Sequence, residues 1–376
     1  MDGPITGADS GRMDETSNDV TAIDETAIEN LAPAQFAPGT VYLNTAATGL
    51  LPAAAVTAMS EAATAHALGR PGSEDHFAVV DAVRSAFARL VGVPARRVAT
   101  GSSAAVYCGL IAQSLPEGAE VLCAEGDFSS LVNPFHVRAA LEVRTVPLEK
   151  LAAEVRPGTA LVAVSAVQSA DGRIADLDAI GAAARAHGAR TLVDISQSAG
   201  WLPTDAGAFD FTVCVGYKWL MGPRGTAFLT VPEDLGGLTP VFAGWVAAEK
   251  PWDSTYGPVT ELASSARRYD ENPALLSYTG ALAGLLLIEE LGTGRIAAHD
   301  RALADRFRAG LDRLGHRPVP ADGSPIVSVP GLDAPAERLS AAGIRAGVRA
   351  GRLRVAFHLY NGASDVDAAL EALARP

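Results

Sequence analysis

Four polar groups stand where the chain is otherwise apolar, and each could do chemistry. In "VCVGYKWLMGPRGTAFL" (213–229) the one amine, Lys218, follows the run "FDFTVCV" and is wedged between Tyr217 and Trp219. Lysine is among the residues least often buried. Held inside, its pKa falls and its lone pair becomes free to form a Schiff base with a carbonyl compound; the plain alternative is a lysine that snorkels to the surface. In "TLVDISQSAG" (191–200) Asp194 ends another apolar run, and Gln197 follows it. A buried carboxylate needs a cationic or hydrogen-bonding partner, unless it is simply a helix cap. "VATGSSAAVY" (98–107) opens a helix with Gly-Ser-Ser. There the free amides and the hydroxyls of Ser102 and Ser103 make an anion seat or an ordinary N-cap, and the spacing is not that of a P-loop. Finally, "RLRVAFHLYN" (352–361) carries Arg354 in a β-like run. Its guanidinium could hold a carboxylate through two parallel hydrogen bonds, whereas Arg345, Arg349 and Arg352 read as surface charge.

The elements around these groups explain why they fall where they do. Apolar runs at 119–126, 160–167, 190–196, 209–215 and 226–231 alternate with helical stretches at about 76–91, 103–115, 130–142 and 176–188. Such alternation predicts an α/β fold with a mostly parallel, buried sheet, whose ligands gather beyond the carboxyl ends of the strands. Pro52 suits the first turn of a helix running to about Gly69. After residue 240 the texture changes: loops, helices at about 276–292 and 298–314, β-like stretches at 325–331 and 353–361, and a last helix predict a smaller α+β C-terminal domain. We expect residues 1–35 to be a disordered acidic tail and 36–54 to pack with the small domain. The large domain would then span 55–244 and the small one 245–376.

Composition narrows the class. Of the net charge of −13, residues 1–35 carry −7, from eight acidic residues and one base, Arg12. An acidic chain without a dense Lys/Arg stretch argues against nucleic acid as a partner. Cys108, Cys123 and Cys214 sit in apolar surroundings without metal-like spacing, so neither a metal site nor a disulfide is expected. The acidic N-terminus lacks the apolar core of a secretory signal, and no apolar run is long enough to span a bilayer. These features point to a cytoplasmic protein.

Together the four groups match what pyridoxal 5′-phosphate (PLP) requires: anion donors at a helix start, an acid for the pyridinium nitrogen and a Schiff-base lysine. The ordered set "VDISQ", "GYKW..GPRG" and "RLRVAFHLYN..SDVD" resembles the class V aminotransferase family. These are fold-type I PLP enzymes that include cysteine desulfurases, kynureninases and isopenicillin N epimerase-like proteins. The likeness runs from about Tyr42 to the C-terminus. It implies Lys218 as the Schiff-base lysine and proton shuttle, Asp194 on the pyridine nitrogen and Gln197 on the ring's phenolic oxygen. It also implies Ser102, Ser103 and the Ala104 amide on the phosphate, Phe128 stacked on the ring, and Ser169 (or Gln168) near the cofactor oxygen. Arg354, with Asn44 nearby, would bind the substrate carboxylate. A homodimer with its active site at the subunit interface is implied as well.

Three departures from the family pattern stand out. Val215 and Gly216 replace a phosphate-binding Ser before the lysine, which brings Tyr217 forward as a donor. Asn272-Pro273 stands where a Gly-Thr from the partner subunit is usual. No cysteine follows Cys214, and Phe128 replaces a ring-stacking His, so persulfide-forming desulfuration is disfavoured. The remaining readings are aminotransferase-like chemistry at Cα of an amino acid, a β-eliminating C–S lyase, and an amino-acid epimerase. His136 and His358 are the available candidates for the second proton donor that epimerisation would need, with a structural role the plainer reading of each. A non-catalytic PLP-binding regulator is the rival of another class. Trp245, Trp252, Tyr256 and Tyr278 either shape a substrate pocket or pack the core.

Overall fold

Burial of short β-branched runs on both faces organises the chain. The computed structural model describes residues 28–70, 75–332 and 336–374. After β1 (Val41–Tyr42) come α1 (Ala53–Ala67) and α2 (Asp75–Leu90). The central strands are β2 (Val98–Gly101), β3 (Glu120–Ala124), β4 (Glu142–Val146), β5 (Thr159–Ser165), β6 (Arg190–Asp194), β7 (Phe211–Val215) and β8 (Ala227–Thr230). They form one seven-stranded sheet in the order β2-β8-β7-β6-β5-β3-β4. β8 is antiparallel to both neighbours and the other pairings are parallel. α3 (Ala104–Ser114), α4 (Ser129–His136) and α5 (Leu177–His187) connect these strands.

The register decides what meets. Asp194 pairs with Val213 across β6 and β7, while Val215 and Gly101 both pair with Ala227 of β8. The ends of β6 and β7 and the start of α3 therefore open onto one edge of the sheet, where an α/β fold collects its ligands.

The remainder comprises α6 (Leu275–Leu291), α7 (Thr293–Arg313), β9 (Ile326–Pro330), α8 (Ala336–Ala341), β10 (Ile344–Arg345), β11 (Gly347–Arg349), β12 (Arg352–Ala356) and α9 (Ala363–Ala374). β11, β12 and β9 form an antiparallel sheet, and β10 pairs with β1. α6 packs against α1 and α2. Among the described residues, no single helix is long and apolar enough to cross a membrane.

Some local expectations need correction. The helix expected over 130–142 stops at His136, just after an internal Pro134, and the chain then forms β4. That strand, "EVRTV", is a half-exposed sheet edge, so it lacks the apolar run that marks a buried strand. β2, only four residues long, is hidden in the lead-in to α3. Packing starts within the stretch read as tail. Ile28 is buried, its carbonyl accepts from Ala363 N–H, and Leu31 N–H donates to the Leu359 carbonyl. The rest of that expected tail, residues 1–27, lies outside the described residues.

One buried ion pair fastens the site edge. Arg84 on α2 forks onto Asp270 (Nη2–Oδ2 2.7 Å), and Asp270 Oδ1 accepts from the Thr100 amide of β2 at 2.8 Å. Removing one partner strands a buried charge. Asp270→Ala is therefore expected to cost about 3–5 kcal/mol, read as a lower urea midpoint; an unchanged midpoint would contradict this role.

Candidate active site

Lys218 is presented by a tight loop between β7 and β8. Gly216 N–H donates to the Thr226 carbonyl, Gly222 N–H to the Gly216 carbonyl, and Met221 sits at a φ of 54°. A non-glycine residue in that left-handed region is strained, the kind of backbone found at functional sites. Residues 44–49 lie directly against this loop. Gly49 donates to the Tyr217 carbonyl, and a Cβ at position 49 would lie 2.0 Å from the Lys218 carbonyl oxygen. Only glycine permits that approach.

The Lys218 side chain is held inside. It is 5% exposed, with Nζ 4.9 Å from the Phe128 ring centroid and 6.0 Å from that of Tyr217. Burial lowers its pKa from the usual 10.5; the Asp194 charge opposes the shift and the Arg354 charge adds to it. Asp194 is equally buried and accepts from the Ser196 amide at 2.8 Å through Oδ1. Burial pushes its carboxyl up, against the pull of Lys218. These causes fix the sign of a test. The rate at which cofactor-free protein captures a carbonyl compound at Lys218 should rise with pH to a midpoint below 10.5. Asp194→Asn should move that midpoint lower, and Arg354→Gln should move it higher; the opposite order would overturn the assignment.

Phe128 is aimed by its neighbour. It is the N-cap of α4, its amide donates to Asp127 Oδ1 at 2.6 Å, and its side chain stays 40% exposed. Asp127 is anchored in turn by the amide (2.9 Å) and hydroxyl (2.5 Å) of Ser165 and by Gln168 Nε2 (3.1 Å). Gln168 is thus engaged behind Phe128, and Ser169 alone of the two candidates reaches Arg354 and Gln197.

At the far side, Arg354 is 1% exposed. Its Nη1 donates to the carbonyl (2.5 Å) and hydroxyl (3.1 Å) of Ser169, its Nη2 reaches Asn44 Oδ1 at 3.5 Å, and its buried Nε has no partner among the described residues. No carboxylate among the described residues neutralises it. Burial, and then the nearby Arg349 charge, bring its pKa down to about 10.

The same geometry redistributes some expected contacts. Gln197 spends both amide hydrogens, on the Ala46 carbonyl (2.8 Å) and Ser169 Oγ (3.0 Å), while its Oε1 accepts from Trp219 Nε1 at 2.7 Å. These bonds tie residue 46, Ser169 and Trp219 together around Gln197. Ser103 caps α3 by accepting from the Val106 amide. Ser102 gives its amide (2.7 Å) and hydroxyl (2.9 Å) to Glu271, so a carboxylate shares the expected phosphate seat. Tyr217 lies under the Arg224 guanidinium, 4.3 Å from ring centroid to Cζ. His136 is exposed at the end of α4, and His358 is fully buried behind Trp219, so neither faces Lys218 as a second proton donor. Tyr278 is core, its hydroxyl on the Gly101 carbonyl, while Trp245 and Trp252 stack edge-on with Phe77 and Tyr256 is exposed. Trp219, Asp127, Asp300 and Glu271 were not legible as site residues. For Trp219, Asp127 and Glu271 the only signal was proximity to the motifs, and Asp300 carried none.

An amine of lowered pKa, a buried acid, a ring face and an unpaired arginine converge at one sheet edge. The orphaned Arg354 Nε and the unbonded Lys218 amine fit PLP and an amino-acid carboxylate, and they define a lysine-anchored PLP site. The chain belongs to the class V aminotransferase family, which it matches over residues 41–369, and is a PLP-dependent enzyme. It is 30% identical over 306 residues to a kynureninase from Deinococcus radiodurans, covering 74% of this chain and 73% of that one. It is 31% identical over 312 residues to an isopenicillin N epimerase from Streptomyces clavuligerus, covering 74% and 76%. Among solved structures, a cystine C–S lyase in complex with cysteine persulfide superposes with a TM-score of 0.81 at 24% identity, covering 89% and 97%. A cysteine desulfurase from Thermococcus onnurineus superposes with a TM-score of 0.77, also at 24% identity, covering 88% and 93%. These last two likenesses establish the fold-type I architecture.

Proposed function

We propose that the protein is an aminotransferase that works on an α-amino acid with Lys218 as its single base. The observation that carries this reading is Arg354, a buried guanidinium with no acidic partner, set so that its charge acts on Lys218. A cation left unpaired inside a protein is costly unless a ligand neutralises it. Arg354, with Asn44 beside it, would take the substrate carboxylate, which fixes Cα near Lys218. When bound, PLP supplies the electron sink for the pair left at Cα. Asp194 would hold the pyridinium proton, Phe128 would cover one ring face, and the α3 N-terminus would face the phosphate. Lys218 Nζ would take the proton from Cα and deliver it, on the same face, to the cofactor carbon that keeps the amino group, so no second acid–base group is required. Epimerisation calls for another donor on the opposite face, and elimination calls for a leaving group at Cβ.

Incubation with a panel of amino acids tests the reading. Stoichiometric build-up of pyridoxamine phosphate supports transamination. Release of keto acid and ammonia with the cofactor unchanged would replace it with elimination, and loss of optical purity alone would replace it with epimerisation.

We further propose that residues 55–244 supply Lys218 and Asp194, that residues 245–376 supply Arg354, and that the enzyme is a cytoplasmic homodimer. The exposed Val241, Phe242, Trp252 and Tyr256 support a self-association surface. Light scattering showing a monomer would remove that part.

A further inference from the structure

Behind the site runs a chain of hydrogen bonds that closes on itself. Arg354 Nη1 donates to Ser169 Oγ at 3.1 Å, and Gln197 Nε2 donates to the same oxygen at 3.0 Å. Gln197 Oε1 accepts from Trp219 Nε1 at 2.7 Å. The Trp219 carbonyl lies 3.0 Å from His358 Nε2, and His358 is on the same segment as Arg354, just past the end of β12. A carbonyl only accepts, so Nε2 carries the hydrogen. Nδ1 then meets Asp300 Oδ2 of α7 at 2.9 Å. The ring of His358 also stands edge-on to the indole of Trp219, with centroids 5.0 Å apart.

Stability does not account for the His358–Asp300 pair. Both side chains are fully buried, and Asp300 Oδ1 has no partner among the described residues. Burial raises the Asp300 carboxyl against the pull of His358. Such pairs are weak contributors to stability, and apolar residues of like volume serve as well or better. What the pair does hold is the backbone carbonyl of the residue next to Lys218, and through the Trp219 indole it holds Gln197, Ser169 and Arg354.

We propose that His358, backed by Asp300, is a positioning residue: it fixes Trp219 and so sets the Lys218 amine and the Arg354 guanidinium at a fixed separation. The proposal rests on the reading of Lys218 as base and Arg354 as carboxylate holder. A bound amino acid must satisfy both groups at once, and misplacement by about 1 Å costs on the order of 100-fold in rate.

The experiment compares His358→Leu, His358→Gln, Asp300→Asn and Trp219→Phe with the parent. It reads thermal midpoint, PLP capture by absorbance, kcat per bound PLP, and KM for the amino acid. His358→Leu, which loses the donor to Trp219, is expected to keep PLP capture while kcat falls about 10- to 100-fold. His358→Gln keeps an N–H for that carbonyl and should recover most of the loss. Trp219→Phe cuts the indole link and should raise KM more than it lowers kcat. Its effect should be non-additive with that of His358→Leu, as expected for members of one network. If His358→Leu does not fold, Asp300→Asn, which keeps volume, carries the test and should show the fall in kcat per bound PLP. Lower midpoints with kcat and KM unchanged per bound PLP would overturn the proposal and leave the pair structural. If Lys218→Ala or Arg354→Gln themselves leave turnover intact, the reading of the site fails first, which separates the two failures.

Discussion

Replacing Lys218 with alanine is expected to lower turnover by at least about 1,000-fold, since both the anchor and the base at Cα are lost. The visible absorbance of lysine-bound PLP should vanish, although the cofactor can still enter: Asp194, Phe128 and the start of α3 remain. Thermal stability should hold or rise, because the change removes an amine buried to 5% exposure that burial disfavours in its charged form. Steady-state kinetics, absorbance and calorimetry on the one variant check all three. Retained turnover would show that another group does the chemistry.

Arg354→Gln is expected to leave PLP loading intact and raise KM for the amino acid by about 30-fold or more, the cost of truncating one side of a buried, hydrogen-bonded charge pair. Arg354→Lys should rescue little, because an ammonium cannot reproduce the planar fork. The same substitution should not destabilise the substrate-free protein, since the guanidinium is an unpaired buried cation there. Weaker substrate binding together with an unchanged or higher melting temperature is the signature of a residue kept for its ligand rather than for the fold. A drop in stability with KM unchanged would make Arg354 a structural residue.

The central sheet was legible because β3, β5, β6 and β7 are buried apolar runs bounded by turns. β4 was not, because it is a polar edge strand, and neither was β2, because it is short and merges with the helix start that drew attention to it. In the site, Lys218, Asp194 and Arg354 announced themselves as charges in apolar stretches. Trp219 drew notice only as the neighbour of Lys218, and His358 read as a candidate proton donor or, more plainly, a structural residue. What each touches depends on the meeting of β6, the Lys218 loop, β12 and α7, which are distant in sequence. Gln197 stands at its motif position, and what the motif could not give is its partners: its hydrogens go to Ala46 and Ser169.

The chain has only three lysines, Lys150, Lys218 and Lys250, and Lys218 alone is buried. The most direct measurement is therefore to load the protein with PLP, reduce it with borohydride and map the modified peptide by mass spectrometry. One pyridoxyl group per chain is expected, on Lys218, and none in Lys218→Ala. Labelling on Lys150 or Lys250, or none at all, would contradict it.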